Sequence, residues 1–218
     1  MKKVYKHKEG FISKNRYTVM SLAIICGMFA IVQSYYDPSV NLRKQMLNEQ
    51  AIQEGKGAPK IGGEFVMETT EGTPFTEKDL LGHYSLIFFG YTFCPDVCPT
   101  TLSTLEEVYS GLSVDQQKMV DIIMVTVDPS RDLGASLKEY VNVFHNDFIG
   151  IRGTEEQTKS MANVYLAYYA KAGEGEDYGM DHSAYTYLMG PDGKYMHHFR
   201  HSDMPVDILK TMNGLLQK

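Results

Sequence analysis

The sequence predicts an α/β domain, and three observations predict it. Residues 85–90 and 121–127 are unbroken, largely apolar runs, Ser-Leu-Ile-Phe-Phe-Gly and Asp-Ile-Ile-Met-Val-Thr-Val. They are short enough for strands and apolar on both faces, as a parallel sheet demands. Between them Leu102, Leu105, Tyr109 and Leu112 recur at intervals of three and four, the stripe of one helix face. Further on, a hairpin pattern surrounds Gly190, Pro191, Asp192 and Gly193, and an amphipathic stretch follows. Strand, helix, strand, helix, hairpin and helix is the order of an α/β fold.

Along the chain, the first segment is basic: Lys2, Lys3, Lys6, Lys8, Lys14 and Arg16 stand against Glu9 within residues 1–16. Residues 17–36 then carry no charged side chain, and about 20 such residues cross a hydrocarbon core. Tyr17 lies at one edge and Tyr35 and Tyr36 at the other, where amphipathic rings favour the headgroup zone. The positive-inside rule keeps the basic tail on the cytoplasmic or matrix side and translocates everything beyond Asp37. A cleaved signal peptide is the other reading, but no small-x-small site follows the apolar run. Cys26, inside this segment, reads as apolar filler. Residues 37–60 are polar and end in Gly55, Gly57 and Pro59, which suits a tether.

The folded domain is expected over residues 61–218. Residues 65–69 and 73–75 flank Gly72 as a short hairpin. The strand at 85–90 follows, then a helix with Pro99 at its first position and Cys98 as its N-cap. The strand at 121–127 is closed by Asp128-Pro129, and helices are expected at 136–144 and 155–169. Strands at 184–189 and 194–199 form the later hairpin, and a helix at 205–216 closes the domain. This matches a thioredoxin-like plan with an added N-terminal hairpin, tethered by one N-terminal transmembrane helix. In that plan the reactive element sits where a strand's C-terminal end meets a helix N-terminus, and there Cys94 and Cys98 fall.

Composition bounds the function. Hydrophobic residues make up 43% and charged residues 22%, ordinary for a globular domain with a real core. A net charge of −6 and a pI near 5.6 speak against nucleic acid as a partner. Three cysteines, Cys26, Cys94 and Cys98, are too few for a disulfide-stapled module.

The chemistry concentrates in Gly90-Tyr91-Thr92-Phe93-Cys94-Pro95-Asp96-Val97-Cys98-Pro99. Two thiols with three residues between them reach one atom, or each other, across about one helical turn. A helix N-terminus favours thiolate, which is both the nucleophile and the metal-binding form. Two readings stand side by side. Dithiol exchange is one, although its usual spacing has two intervening residues. Metal binding is the other: paired thiolates suit Cu(I), and an added imidazole makes a site that also holds Cu(II). A four-coordinate zinc site would want a further Cys or His at local spacing, and none is there. Among the histidines, His182 lies just before the strand at 184–189, and by fold analogy that loop faces the dithiol; a solvated loop histidine is the alternative.

The chain resembles the Sco/SenC copper proteins used in assembling cytochrome c oxidase. The resemblance rests on the dithiol segment from Phe89 to Pro99, on Val127-Asp128-Pro129-Ser130-Arg131-Asp132, and on Asp181-His182-Ser183 followed by Gly190-Pro191-Asp192-Gly193. It covers roughly residues 60–216 and the N-terminal anchor. It implies copper ligation by Cys94, Cys98 and His182, a redox-active disulfide between Cys94 and Cys98, and Asp181 as a neighbour orienting the imidazole. Asp128, Arg131 and Asp132 read as structural or docking residues. The implied partner is the copper-site subunit of the oxidase, with other copper chaperones as further partners. The implied location is a bacterial plasma membrane with the domain in the periplasm, or the mitochondrial inner membrane facing the intermembrane space. A metallochaperone, which is not an enzyme, is the leading expectation, and a membrane-tethered thiol-disulfide oxidoreductase is the alternative. A peroxidase-like enzyme is a third and lacks a recognisable peroxide pocket.

Overall fold

The first strands of the domain, β1 (Val66–Thr69) and β2 (Pro74–Thr76), form the expected N-terminal hairpin. The computed structural model describes residues 60–217 apart from residue 176. The basic tail at 1–16, the transmembrane segment expected at 17–36, and the tether up to residue 59 lie outside the described residues. Among the described residues no helix is long and apolar enough to cross a membrane.

A single 3-10 turn at Glu77–Leu80 leads into β3 (Tyr84–Gly90), of which every residue but Tyr84 is buried. The chain then crosses over through α1 (Val97–Ser110) and a short α2 (Val114–Gln117) to β4 (Val120–Thr126). β3 and β4 pair in parallel from Tyr84↔Val120 to Gly90↔Thr126, the pairing that a helical crossover allows. A second crossover, α3 (Gly134–Phe144), brings β5 (Ile149–Arg152) parallel to β4. After α4 (Glu155–Val164) come β6 (Tyr169–Ala172) and β7 (Gly179–His182), then β8 (Tyr185–Met189), β9 (Tyr195–Arg200) and α5 (Pro205–Leu216).

Seven strands make one mixed sheet in the order β2-β1-β5-β4-β3-β8-β9, while β6 and β7 pair with each other as a separate two-stranded ribbon. The N-terminal hairpin therefore extends the sheet beyond β5. β3 lies inside the sheet, parallel to β4 and antiparallel to β8. Leu86, Ile87, Phe88, Ile123 and Val125 are wholly or almost wholly buried there. Each such side chain removed from water stabilises the fold by about 1.5–3 kcal/mol. α1 turns Cys98, Leu102, Leu105, Val108 and Tyr109 inward and packs against α5, which buries Ile208 and Met212. The β8–β9 turn needs a left-handed residue, and Gly193 supplies it at φ +71.

Three local expectations are corrected. α1 begins at Val97 with Asp96 at the cap position, so Cys98 is the second helical residue and Pro99 the third. Proline is tolerated throughout the first turn, whose N–H groups have no intrahelical partner in any case. The helix expected to reach residue 169 ends at Val164. Leu166 takes a left-handed φ of 52, the Ala167 N–H bonds back to the Ala162 carbonyl at 2.8 Å, and Tyr169 starts a strand. His182 was expected in a loop and is the last residue of β7.

Candidate metal centre

Gly90 closes β3 at the C-terminal end of the sheet's inner strands, and residues 91–96 connect it to α1. Asp132, with no solvent exposure, anchors this connection. Its carboxylate accepts the Thr92 N–H at 3.1 Å, the Thr92 hydroxyl at 2.6 Å and the Thr126 hydroxyl at 2.6 Å. Burial nevertheless pushes the Asp132 carboxyl above its ordinary range, against the lowering effect of those bonds.

Cys98 is fully buried in the first turn of α1, and Cys94 is half-buried just before it. The Cys98 N–H points at the Cys94 sulfur at 3.4 Å. Gly90 makes room for this arrangement: a Cβ there would lie 2.8 Å from the Cys98 sulfur and 2.7 Å from the Phe88 ring. The two thiols differ in acidity. Hydrogen bonding from Cys98 pulls the Cys94 thiol down to about 4, and the Asp96 and Cys98 backbone groups add to the effect. Its thiolate neighbour, together with burial, pushes Cys98 up, so Cys98 keeps its proton while Cys94 is ionised.

The third donor comes from the β6–β7 ribbon. His182 places Nε2 3.3 Å from the Cys98 sulfur. The ring is braced edge-on by Phe88 and Tyr91, with centroids 5.9 Å and 5.8 Å away. Nδ1 lies 3.1 Å from the Ser183 carbonyl, which can only accept, so Nδ1 carries the proton and Nε2 turns its lone pair to the sulfurs. That is the tautomer a metal ligand needs. Asp181, expected to orient this ring, is exposed and precedes His182 on β7, where adjacent side chains point to opposite faces. The ring is oriented by the backbone of Ser183 instead.

Sγ of Cys94, Sγ of Cys98 and a ring nitrogen of His182 all lie within 4.8 Å of one another. No other group of three His, Cys, Asp or Glu among the described residues has such an arrangement. Metal–sulfur and metal–nitrogen bonds of about 2.0–2.3 Å put donors roughly 3.5–4 Å apart around one ion, so adjustments below an ångström bring these three onto it. Two sulfurs and one imidazole form a soft donor set that suits copper in either oxidation state.

Beside the dithiol lies a second cluster. Asp128, 3% exposed, accepts Arg131 Nε at 2.5 Å and the Tyr178 hydroxyl at 2.8 Å. Arg131 also donates from Nη1 to the Tyr178 carbonyl at 2.9 Å. Its guanidinium stands 3.6 Å from the Tyr178 ring centroid and 4.7 Å from that of Phe93. The sequence flagged Asp128, Arg131 and Asp132 by resemblance alone. Tyr178 carried no sequence signal, because it acts through contacts across the fold; Gly90 and Ser183 lie inside the motif segments, but their parts show only in the contacts they make.

Residues 53–217 match the SCO1/SenC family model. A SCO2-like protein of Rickettsia felis is 36% identical over 202 residues, covering 90% of this chain and 94% of the relative. The mitochondrial SCO1 protein of Saccharomyces cerevisiae is 37% identical over 166 residues, 75% of this chain and 56% of that protein. Among solved structures, yeast Sco1 with copper bound has a TM-score of 0.68 and 34% identity over 73% of this chain and 90% of the other. Arabidopsis thaliana ScoI with copper bound has a TM-score of 0.67 and 32% identity over 72% of this chain and 99% of the other.

Proposed function

The chain belongs to the SCO1/SenC family, and on that footing we propose that it is a copper metallochaperone holding one copper ion through Cys94, Cys98 and His182. The observation that carries this reading is the meeting of two sulfurs and an imidazole nitrogen at one point, with the imidazole proton held away from them. A dithiol that only exchanged disulfides would have no use for His182. Copper-bound relatives at 32% and 34% identity support the choice of metal. The recipient is the dinuclear copper site of a cytochrome c oxidase subunit, with other copper chaperones as further partners.

The domain works at a membrane, tethered through residues 17–36, with the basic tail inside and residues 61–218 outside. A bacterial plasma membrane with the domain in the periplasm is the setting, and the near full-length match to the rickettsial relative supports it. The mitochondrial inner membrane, facing the intermembrane space, is the alternative.

The thiol-disulfide oxidoreductase reading is favoured by one feature. Cys94 is the more accessible thiol and the more acidic, the character of an attacking thiolate. Copper stoichiometry decides between the readings. The reduced chain takes up one copper, and oxidation of Cys94 and Cys98 to a disulfide removes both sulfur donors and most Cu(I) affinity. Equal Cu(I) binding in the two redox states would take the cysteines out of the ligand set.

A further inference from the structure

We propose that Tyr178 and Arg131 are positioning residues that clamp the β6–β7 ribbon to the dithiol loop and thereby set the strength of the His182 bond to copper. The proposal rests on the copper reading of that site.

The ribbon that carries His182 pairs its backbone with no strand of the main sheet. A cavity of about 280 Å³, lined by Val127, Asp128, Glu155, Tyr169, Lys171 and Tyr178, lies beside it, while Tyr169 and Met180 pack against the core. The β3–β8 ladder begins at Thr186, just beyond His182, and anchors the C-terminal end of the ribbon. Its other end, where β7 begins, is held by side chains, and Tyr178 stands there. It lies one residue before β7, so whatever holds Tyr178 holds the strand that ends in His182.

Besides the Lys171 ammonium of its own ribbon, 3.8 Å from its ring, Tyr178 is tied to the body at three points. Its hydroxyl donates to Asp128, its carbonyl accepts from Arg131, and its ring lies under the Arg131 guanidinium. Asp128 is itself fixed to the end of β4, its N–H donating to the Thr126 hydroxyl at 3.0 Å. Arg131 reaches the other way as well, over Phe93, the neighbour of Cys94. One guanidinium thus touches both arms of the site, the dithiol loop and the imidazole ribbon. Lysine cannot replace it, because an ammonium lacks the planar fork that pairs with Asp128 and stacks on the ring together.

The two copper oxidation states should feel the clamp unequally. Cu(I) is satisfied by soft, low-coordinate sulfur, whereas Cu(II) depends on the nitrogen donor. A loosened ribbon therefore costs Cu(II) binding first.

The test uses Tyr178→Ala and Tyr178→Phe in the full chain, purified in a mild detergent. Amide hydrogen exchange of the metal-free protein is read at residues 179–182 and across β3 and β4. Cu(II) and Cu(I) affinities are then measured by competition titration. Tyr178→Ala should exchange faster at 179–182 with β3 and β4 unchanged. It should bind Cu(II) about tenfold more weakly while Cu(I) stays within about twofold, from the loss of a cation–π contact and a hydrogen bond. A tenfold differential raises the Cu(II)/Cu(I) potential by about 59 mV. Tyr178→Phe keeps the ring over Arg131 and should recover most of both properties. Unchanged exchange at 179–182 in Tyr178→Ala overturns the clamp. Faster exchange with unchanged Cu(II) affinity overturns its link to the metal. If the wild-type chain takes up no copper, the copper reading fails, and with it the proposed tuning of that bond, while the exchange comparison still decides the clamp.

Discussion

Sγ of Cys98 and Nε2 of His182 meet at 3.3 Å although 84 positions separate the two residues in the chain. The contact joins the first turn of a helix to the last residue of a strand outside the main sheet, and its loss should be felt by the metal before the fold. His182→Ala should weaken Cu(II) binding far more than Cu(I) binding and alter the thiolate-to-Cu(II) absorption. The half-exposed ring contributes little to the core, so melting should shift only slightly. Copper spectra of the purified variant check this, and unchanged Cu(II) spectra would dismiss the imidazole as a ligand.

Alkylation should report the unequal thiols. With Cys94 ionised near pH 4 and Cys98 buried and protonated, iodoacetamide at about pH 6 should label Cys94 long before Cys98. Peptide mapping of the reduced, metal-free chain after partial reaction locates the adduct. Early label on Cys98 would reverse the assignment.

Gly90→Ala tests the close packing beneath the sulfur. The new methyl would press on both Cys98 Sγ and the Phe88 ring, which are both fully buried. Overpacking of this kind costs about 1–3 kcal/mol, so the melting temperature should fall. Copper affinity should fall with it, since Cys98 must shift. A variant with wild-type stability and copper affinity would show that the site tolerates more slack than the geometry allows.

Asp132→Asn gives a pH signature. The folded state holds the Asp132 proton more tightly than the unfolded chain does, because burial raises its pKa. The sign follows from linkage: this stabilising contribution is complete below the unfolded carboxyl pKa and is lost as pH rises through the folded one. The wild-type advantage over Asp132→Asn should therefore be larger below about pH 4 than at neutral pH. Denaturant unfolding of both proteins across this range measures it. An advantage that grows toward neutral pH would mean that the Thr92 and Thr126 bonds outweigh burial.

The inner strands were legible because β3 and β4 are nearly all apolar and bounded by turn residues, and the dithiol because its chemistry is local. His182 was out of reach of spacing arguments, since β3–β8 pairing is what sets it near α1. The strand Ile149–Arg152 is four residues long with a glycine inside, too short to carry a period. The ribbon strands Tyr-Ala-Lys-Ala and Gly-Met-Asp-His bury no continuous face, so no alternation announced them. The pattern beyond Val164 continues a helical period through Leu166 and Ala167, and only the backbone turn at Leu166 breaks it.

The division of the donor set between an early loop and a late ribbon also orders events in time. A chain emerging from its amino end presents both thiols while His182 is still unmade, and β3 waits for β8 before its second edge is covered. Pairing across so long a loop is among the slower steps of folding. For that interval an oxidant meets a dithiol without its imidazole, and a premature disulfide competes with metal loading. On the proposed copper reading, the nascent chain would need a reductant until the imidazole is in place.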